Sequence, residues 1–384
     1  MAIPEQFIDE LVARSDIADV VGSYVSLSPK GGSLWGCCPF HSEKTPSFHV
    51  VPDRQIFKCF GCGKGGGVIT FIMEIENLPF VDAVRLLAQR AGMTMPETGE
   101  NEGYRRRRER LLELNREAAR WFHQQLMGPQ GTAGAEYLFG RRGLSRGTVK
   151  RFGLGMAPDG WDNLMAAMAE KGYDKRDMLD AGLAVDSKKG RIYDRFRGRV
   201  MFPIIDIRGD VIGFGGRVLD DGTPKYLNSP DTIVYNKSRN LFALNIAKKS
   251  RLGRIILTEG YMDTISLHQA GFDCAVASLG TALTAEHAQL LARYTKEAVI
   301  AYDGDGAGVA AAQRAIPILE KTGLKVRVLR MAGAKDPDEY IKKFGREAFA
   351  KLLDQSENHI EYRLSQVRRK YDLSDDAQRV EFLR

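Results

Sequence analysis

The sequence lacks any long apolar run. None of its stretches approaches the ~20 consecutive apolar residues that a membrane-spanning helix needs. Its first residues, MAIPEQFIDELVARSD, carry acidic side chains where a secretory signal peptide has basic and then apolar ones. We therefore expect a soluble, cytoplasmic protein with no membrane partner.

Cysteine is also scarce, with 5 cysteines among 384 residues. This number excludes a disulfide-built scaffold and fits a reducing compartment, where clustered thiols bind metal more often than they pair. The sequence contains no Walker A phosphate loop, which argues against an ATP-driven motor. No Ser or Cys nucleophile is accompanied by a His base, and we expect His287 and Ser278 to be structural.

Positive charge is unevenly distributed. The chain carries a net charge of +7, with 43% hydrophobic and 27% charged residues, which is enough apolar material for two or three globular domains. Residues 141–254 have 23 Lys and Arg against 13 Asp and Glu, whereas residues 255–340 have 8 against 11. A basic block beside an acidic block favours a polyanion-binding surface next to a metal site; a solvated basic face is the alternative.

Hydrophobic periodicity divides the chain into regions of different architecture. Residues 5–28 and 68–92 show helical spacing on either side of short predicted strands, and 109–127 predicts a longer helix. Beyond residue 253, buried strands alternate with helices, which indicates a parallel sheet. We predict a multidomain α+β and α/β protein that ends in helices. The predicted segments are 1–96 (metal-binding domain), 97–110 (linker), 111–252 (basic subdomain), 253–345 (parallel-sheet subdomain) and 346–384 (helical segment).

Four metal-binding side chains occur as two closely spaced pairs. Cys38 and His41 form C-x2-H, Cys59 and Cys62 form C-x2-C, and 17 residues separate the pairs. Three thiolates and one imidazole suit tetrahedral Zn²⁺ without an open position, so we predict one structural zinc ion. Cys37 competes with Cys38, but only Cys38 has the x2 spacing to His41. Free buried cysteines are the alternative.

Aromatic and basic residues are interleaved around these pairs. Phe40, Phe48, Phe57 and Phe60 lie near several lysines. This pattern suits single-stranded nucleic acid, because bases stack on rings and ammonium groups meet phosphates. A small domain also needs aromatics for its core, and we expect about half of these rings to be buried there.

Acidic side chains follow three predicted strands in the second half of the chain. Glu259 ends one strand, Asp303 and Asp305 follow the next, and Asp336 and Asp338 lie in KDPDE after a third. Ligands gather at the carboxyl ends of parallel strands, and crowded carboxylates repel one another unless cations neutralise them. We predict a catalytic Mg²⁺ or Mn²⁺ site of two or more ions. A surface turn is the alternative for any single Asp-Gly-Asp-Gly.

Arginines alternate before a strand in the basic block. Arg195, Arg197 and Arg199 would share one face of an extended chain, in position to hold a triphosphate or a template backbone. A solvated basic sheet edge is the alternative.

The motifs together resemble one family. They are CPFHSEKTPSFHVVPDRQIFKCFGCGKGG, RGRVMFPIIDIRGDVIGFGGRVL, PKYLNSP, LTEGYMD, ASLGTALT, AYDGDGAG and KDPDEY, and they span residues 1 to about 345. In this order they resemble the bacterial DnaG-type replicative primase. The resemblance implies a zinc ribbon that reads the template and an RNA polymerase core with a TOPRIM fold. It implies synthesis of short RNA primers from ribonucleoside triphosphates on single-stranded DNA, with an RNA–DNA hybrid as product.

The resemblance also implies roles for particular residues. Cys38, His41, Cys59 and Cys62 would bind zinc; Glu259, Asp303 and Asp305 would hold the catalytic metals, supported by Asp336 and Asp338. Residues matching the family's basic ridge for template and nucleotide are Arg195, Arg199, Arg217, Lys225, Tyr226, Asn228 and Lys237. We expect a monomer at the bacterial replication fork, with the replicative helicase bound only through a C-terminal domain that these residues do not include.

Two other functions remain open at this point. A TOPRIM topoisomerase or nuclease would use a similar carboxylate set, and a topoisomerase would need an attacking tyrosine, for which Tyr261 and Tyr302 are candidates. A non-catalytic zinc-dependent DNA-binding module would bind template without chemistry. Asp263 is either a supporting residue of the acidic site or an ordinary acid at a helix start.

Overall fold

The chain forms two compact units. In the computed structural model, residues 3–41, 43–76, 78–95, 99–187, 190–220, 222–368, 375 and 378–379 are described. One unit comprises residues 1–107 with 288–293 and 318–324, and the other comprises 108–287, 294–317 and 325–384. No helix within the described ranges has the length and apolar character needed to cross a membrane.

The first unit is built on a five-stranded antiparallel sheet in the order β1-β2-β3-β4-β5. Its strands are β1 (Ser28–Lys30), β2 (Ser33–Gly36), β3 (Phe48–Val51), β4 (Ile56–Cys59) and β5 (Gly65–Gly66). Its helices are α1 (Glu5–Arg14), α2 (Ile17–Gly22), α3 (Val68–Ile75) and α4 (Phe80–Arg90). Asp16 caps α2, because its carboxylate accepts from the N–H groups of Ala18 and Asp19.

Aromatic rings fill the core of this unit. Phe40, Phe48, Phe57 and Phe71 are buried and lie with ring centroids 5.3–6.2 Å apart. Phe60, in contrast, is 66% exposed. Three of the four phenylalanines near the cysteine pairs are therefore core residues, and one remains at the surface.

The helix that follows begins earlier than the sequence predicts. α5 runs from Gly99 to Met127, so the expected start at residue 109 is wrong, and residues 99–110 of the predicted linker are helical. Arg and Glu have high helix propensity, and Arg106 pairs with Glu102 one turn earlier. These local terms form a helix without a continuous apolar face. Residues 97 and 98 lie outside the described ranges.

The second unit contains a four-stranded antiparallel sheet in the order β11-β10-β9-β6. β9 (Arg199–Ile205) and β10 (Val211–Val218) form a hairpin, whose turn is held by the Asp206 carboxylate accepting three backbone N–H groups. The neighbouring elements are α6 (Thr132–Ala135), a π-helical turn (Glu136–Arg141), α7 (Arg146–Phe152), β6 (Gly155–Ala157), α8 (Asn163–Ala169), α9 (Lys175–Asp180), β7 (Ala184–Asp186), β8 (Ile192–Asp194), β11 (Tyr226–Asn228) and α10 (Leu244–Ala247).

A second sheet of this unit is parallel, as the sequence predicts. Its order is β13-β12-β14-β15-β16, with only β16 antiparallel to its neighbour. Its strands and the helices that follow them along the chain are β12 (Ile255–Thr258), α11 (Tyr261–Gln269), β13 (Ala275–Ala277), α12 (Ala285–Ala292), β14 (Glu297–Ile300), α13 (Gly306–Glu320), β15 (Lys325–Val328), α14 (Pro337–Asp354), β16 (Glu357–Asn358) and α15 (His359–Arg368). Residues 288–292 of α12 and 318–320 of α13 are counted with the first unit. The carboxyl ends of β12 and β14 therefore lie side by side.

Gly345 interrupts α14 with a φ of 80°, at the predicted boundary between the parallel-sheet subdomain and the helical segment. α15 lies in that segment, whereas its residues 369–374, 376, 377 and 380–384 are outside the described ranges. The boundaries of the five predicted segments stay a prediction.

Candidate metal centres and active-site cleft

The two cysteine–histidine pairs converge on one point. The ligand atoms of Cys38, His41, Cys59 and Cys62 all lie within 4.8 Å of one another. The Sγ atoms of Cys38 and Cys62 are 3.8 Å apart, and Sγ of Cys59 is 3.7 Å from Nδ1 of His41. A tetrahedron with Zn–S bonds of about 2.3 Å places neighbouring sulfurs about 3.8 Å apart, so the donors fit zinc in both chemistry and spacing.

Local backbone geometry presents the sulfurs. The N–H of Phe40 points at Sγ of Cys38, and the N–H of Cys62 points at Sγ of Cys59, each at 3.4 Å. Such N–H···S contacts stabilise thiolates in tight turns. Cys37 is exposed and outside the cluster, in keeping with the preference for Cys38.

The first carboxylates meet at the carboxyl ends of β12 and β14. Oε1 of Glu259 accepts the backbone N–H of Asp303 at 3.2 Å, and the Asp305 carboxylate accepts the N–H of Gly308 in the first turn of α13. A Cβ on Gly308 would lie 2.2 Å from the Asp303 carbonyl oxygen and 2.8 Å from the Glu259 carboxylate. Glycine is thus required for this close approach.

Burial and repulsion from neighbouring acids raise the pKa of two of these carboxylates, Glu259 and Asp303. Burial, followed by the charges of Glu259, Asp336 and Asp305, raises the pKa of Asp303 to about 6. Burial also raises the pKa of Glu259, and the charge of Asp305 adds to it. A bound cation would relieve both effects, which is how a divalent metal site of oxygen ligands behaves.

Asp263 belongs to the same acidic group. Burial, then the charges of Asp336, Asp303 and Asp338, raises its pKa to about 7. Of the two roles that the sequence left open, the geometry supports a supporting role in the acidic site. Its position four residues after Glu259, in the first turn of α11, is the only sequence signal for it.

Asp336 and Asp338 are already engaged by protein groups. Asp336 caps α14 by accepting the N–H of Glu339 at 2.7 Å. Asp338 is only 4% exposed and accepts from Arg142 at 2.6 Å, from Lys342 at 2.9 Å and from the Ser266 hydroxyl. Asp338 is thus tied to cations of the protein itself, and a metal-binding role for it stays a prediction.

A cleft of roughly 570 Å³ joins the acids to basic residues of the same unit. Of the predicted template- or nucleotide-binding residues, it brings in Arg217, Lys225 and Tyr226. Its lining includes Glu259, Asp263, Asp303, Asp336, Asp338, Arg142, Arg217, Lys225, Tyr226, Lys335 and Lys342. Arg142 and Lys335 are basic lining residues that the sequence analysis missed.

Aromatic rings orient the guanidinium of Arg217. It lies 4.9 Å from the centroid of Tyr137 and 5.4 Å from that of Tyr226, whose hydroxyl it also contacts at 3.1 Å. Arg142 donates to the Tyr137 hydroxyl at 2.8 Å. Two arginines of the cleft are therefore held on the same tyrosine, with favourable cation–ring contacts.

The predicted row of three arginines on one face is wrong. Gly198, with φ of 57°, breaks the extended chain, and only Arg199 lies on β9. Arg195 donates to the Asn228 carbonyl at 2.9 Å, and Arg197 stacks on Trp161 at 4.2 Å. The three side chains therefore point to different partners.

Other predicted ridge residues serve as anchors within the fold. Arg199 is 8% exposed and donates to the carbonyls of Gly216 and Pro224 at 3.2 and 3.0 Å. The Asn228 side chain donates to the Leu279 carbonyl at 3.0 Å and accepts from the Tyr261 hydroxyl at 2.8 Å.

Lys237 lies outside the cleft lining, in a turn whose carbonyl faces Nε2 of His287 at 2.9 Å. His287 is fully buried, consistent with the structural role expected for it.

A second basic and aromatic group surrounds Trp161, which the sequence analysis did not select. Its ring is 53% exposed, with Arg197 at 4.2 Å and Arg191 at 5.4 Å from the ring centroid. Tyr193 packs edge-on against it at 5.3 Å. An exposed indole between guanidinium groups is a suitable stacking surface for a base.

Three families match successive parts of the chain. Residues 3–103 match the CHC2 zinc finger, residues 121–248 the N-terminal domain of the DNA primase catalytic core, and residues 256–341 a Toprim-like domain. A DNA primase of Clostridium acetobutylicum is 44% identical over 388 residues, covering 100% of this chain and 64% of that protein. A DNA primase of Escherichia coli K12 is 43% identical, covering 92% of this chain and 62% of that protein.

Solved structures extend the similarity to three dimensions. The Aquifex aeolicus primase, comprising zinc-binding and RNA polymerase domains, is 37% identical with a TM-score of 0.63, covering 94% of this chain and 88% of that one. A DnaG primase catalytic domain bound to single-stranded DNA is 40% identical with a TM-score of 0.63, covering 72% of this chain and 91% of that one.

Fold and site define a zinc-finger protein with a Toprim-type, divalent-metal-binding acidic centre. The relatives narrow this class to one family. The chain belongs to the DnaG-type primases, since one solved primase is matched over 88% of its length at 37% identity. The fold class predicted from the sequence is confirmed. The chain spans 64% and 62% of the lengths of the two curated relatives.

Proposed function

We propose that this chain is a DNA-dependent RNA polymerase that synthesises short RNA primers on single-stranded DNA from ribonucleoside triphosphates. The observation that carries the proposal is the cleft in which Glu259, Asp263 and Asp303 face Arg217 and Lys225. Acids can hold cations on one side, while basic groups on the other can receive phosphates and a template backbone. A structure of a related DnaG catalytic domain bound to single-stranded DNA supports the same substrate.

The proposed reaction is nucleotidyl transfer. The 3′-hydroxyl oxygen of one ribonucleotide attacks the α-phosphate of the next, the new O–P bond forms, the bond to pyrophosphate breaks, and the hydroxyl proton passes to solvent. Arg217 and Lys225 would bind the triphosphate or template phosphates, and the Tyr137 and Tyr226 rings orient Arg217. We assign no side chain as general base.

Glu259, Asp303 and Asp305 would hold the divalent cations, which we propose to be two or more Mg²⁺ or Mn²⁺ ions. Bound there, such ions lower the pKa of a hydroxyl and neutralise charge that develops on phosphate oxygens. Burial, together with the charges of the neighbouring acids, raises the pKa of Asp303 to about 6, and this supports the assignment because a bound cation would relieve both effects. Asp263 and Asp336, which line the same cleft, would support the group.

Two surfaces suit the template. In the second unit, which contains the acidic cleft, Trp161 is exposed and has Arg191 and Arg197 beside its ring. In the zinc-ribbon unit, the rings of Trp35, His49 and Phe60 form a cluster, with centroid separations of 4.5–6.0 Å. Stacked rings beside cations favour single strands with little dependence on base sequence.

A topoisomerase reaction is less consistent with the geometry. Tyr261 is 5% exposed and donates its hydroxyl to Asn228, and Tyr302 is 8% exposed. Burial raises the pKa of both phenols, which makes each a poorer nucleophile. Neither tyrosine is therefore placed to attack a phosphodiester.

Labelled-ribonucleotide incorporation on short single-stranded DNA templates, with Mg²⁺ or Mn²⁺, tests the proposal. Wild type should make short RNA, and Asp303→Asn should lower the rate of synthesis by about 10²–10³-fold. Asp186→Asn is the matched control, because Asp186 is exposed on β7 and outside the cleft lining.

Each contrary result has a distinct meaning. Full synthesis by Asp303→Asn at saturating metal would overturn the metal assignment. Template binding without synthesis by any variant, wild type included, would favour the non-catalytic zinc module. Relaxation or cleavage of supercoiled DNA would revive the topoisomerase or nuclease alternative.

A further inference from the structure

Glu43 lies against the zinc-binding cluster without being one of its ligands. Its side chain is only 12% exposed. Oε1 accepts the backbone N–H of Cys38 at 2.7 Å and that of Ser47 at 3.1 Å. Oε2 accepts the Ser47 hydroxyl and lies 3.2 Å from Nε2 of His41. One carboxylate therefore contacts four groups, among them two of the four cluster residues.

The imidazole of His41 is oriented by this contact. Its Nδ1 points into the cluster, 3.7 Å from Sγ of Cys59, while its Nε2 points to Glu43. A nitrogen that binds a metal is deprotonated, so the proton of a neutral imidazole must be on the other nitrogen. With Nδ1 facing the metal position, Nε2–H is the donor and Glu43 is its acceptor.

The backbone of Gly61 lies close to the same end of the ring. A Cβ built on Gly61 would lie 2.5 Å from Nε2 and 2.8 Å from the neighbouring ring carbon of His41. No larger residue fits at this position unless the imidazole moves. The ring is thus fixed by a hydrogen-bond acceptor at its outer nitrogen and by the Gly61 backbone against its edge.

We propose that Glu43 is a positioning residue for the zinc ion: it accepts the Nε2–H of His41, selects Nδ1 as the ligating nitrogen and slows loss of the metal. The inference rests on the zinc ligand set proposed above. Removing a hydrogen-bonding partner of a metal-binding histidine lowers metal affinity by about 10–100-fold in other proteins. We expect an effect of that size here.

Glu43→Gln changes the contacts of Oε2, which are those with Nε2 of His41 and with the Ser47 hydroxyl. The glutamine carbonyl oxygen can still accept the N–H groups of Cys38 and Ser47, whereas its amide nitrogen is a donor and cannot accept Nε2–H. Glu10→Gln is the matched control, because Glu10 belongs to the same unit and loses the same charge at an exposed ion pair with Arg14. The readout is zinc transfer from the full chain to a chromogenic chelator, as an equilibrium constant and as a rate.

A second background separates the His41 contact from the backbone contacts. His41→Cys keeps a zinc ligand but has no outer nitrogen to donate. Glu43→Gln should weaken zinc binding about 10–100-fold when His41 is present, and by less than about 3-fold in the His41→Cys chain. An equal loss in both backgrounds, or no loss in either, would overturn the proposal.

Two further readouts keep the proposal testable. If His41→Cys does not fold, nitrogen-15 NMR of the zinc-loaded wild type should show His41 protonated at Nε2, and a proton at Nδ1 would refute the inference. If wild type itself binds no stoichiometric zinc, the ligand set proposed above is wrong and the role of Glu43 is rejected with it. Zinc bound normally by wild type and by Glu43→Gln would reject the role of Glu43 alone.

Discussion

The zinc-ribbon cluster and the acidic cleft bring metal-binding side chains together in opposite ways. The zinc-ribbon donors come from two short turns, and backbone N–H groups and Glu43 hold them in place. The acids of the cleft come from the ends of different strands, and burial together with mutual repulsion raises the pKa of Asp263 and Asp303. The first group is arranged to keep one ion; the second carries unfavourable charge that cations would relieve.

Under the proposed function, this difference separates a metal that would maintain a fold from metals that would take part in a reaction. A closed set of four donors leaves no position for a substrate. A cleft with acids on one side and Arg217 and Lys225 on the other has room for one. Removal of a zinc donor should therefore reduce stability, whereas removal of an acid from the cleft should increase the stability of the metal-free protein.

The largest expected effect is the loss of zinc. Cys59→Ser should release the ion and unfold or loosen residues 28–66, because structural zinc sites contribute about 10–16 kcal/mol and a whole domain is stable by only about 5–15 kcal/mol. Zinc content and amide hydrogen exchange measure this. Cys37→Ser is the control, since Cys37 is exposed and outside the cluster. Unchanged zinc and exchange in Cys59→Ser would break the comparison at its first step.

The next largest expected effect is on the free energy of unfolding, through the raised pKa of Asp263. Burial, then the charges of neighbouring acids, raises its pKa to about 7 in the folded chain from an ordinary value of 3.8. Its stabilising contribution is therefore complete below the unfolded pKa and is lost as pH rises through 7. Asp263→Asn should therefore stabilise the metal-free protein at pH 8, and this advantage should shrink by about 2–3 kcal/mol at pH 5. Urea unfolding at the two pH values measures both quantities.

Added Mg²⁺ provides the internal check on that result. If cations relieve the repulsion among the acids, saturating Mg²⁺ at pH 8 should stabilise wild type more than Asp263→Asn and so narrow the gap between them. Asp186→Asn, an exposed change on β7, should show neither the pH dependence nor the response to metal. If the difference in free energy of unfolding between wild type and Asp263→Asn were the same under all conditions, packing and not charge would determine the effect of the substitution.

A smaller effect distinguishes structural from functional arginine. Arg199→Lys should destabilise the chain by about 1–3 kcal/mol, because a lysine cannot reproduce the fork that serves the carbonyls of Gly216 and Pro224. Template affinity, measured where the variant is fully folded, should stay within about twofold of wild type. Unchanged stability with weaker template binding would return Arg199 to the binding surface that the sequence suggested.

Local sequence patterns were sufficient for much of the molecule. The C-x2-H and C-x2-C spacings predicted side chains that do meet, since each pair lies within one turn. Strict alternation of strands and helices predicted the parallel sheet, and with it the meeting of Glu259 and Asp303 at adjacent strand ends. These are cases in which spacing along the chain fixes proximity in space.

The parts that the sequence did not predict depend on distant contacts. Arg142 reaches the cleft through Tyr137 and Asp338, and nothing in its local sequence marks it. Trp161 lies in no motif, and its basic surroundings come from Arg191, which precedes β8, and Arg197, which follows it. The prediction that the alternating arginines share one face was wrong for a local reason. Gly198 adopts a left-handed conformation that periodicity alone does not reveal.

The smallest effect tests the functional side of the same comparison. Lys225 is exposed at the cleft, and among the described residues its ammonium group has no hydrogen bond or ion pair. Lys225→Ala should leave the free energy of unfolding within about 0.5 kcal/mol of wild type. It should weaken template or nucleotide binding by about 1 kcal/mol. It should also reduce the slope of log affinity against log salt concentration by about 1 for template binding. Lys249→Ala, an exposed lysine outside the cleft lining, should change neither. Arg199 and Lys225 are close in the fold and equal in charge. A loss of stability at Arg199 with a loss of binding at Lys225 would therefore show that the partners already present in the fold, and not the charge, decide which basic residue binds nucleic acid.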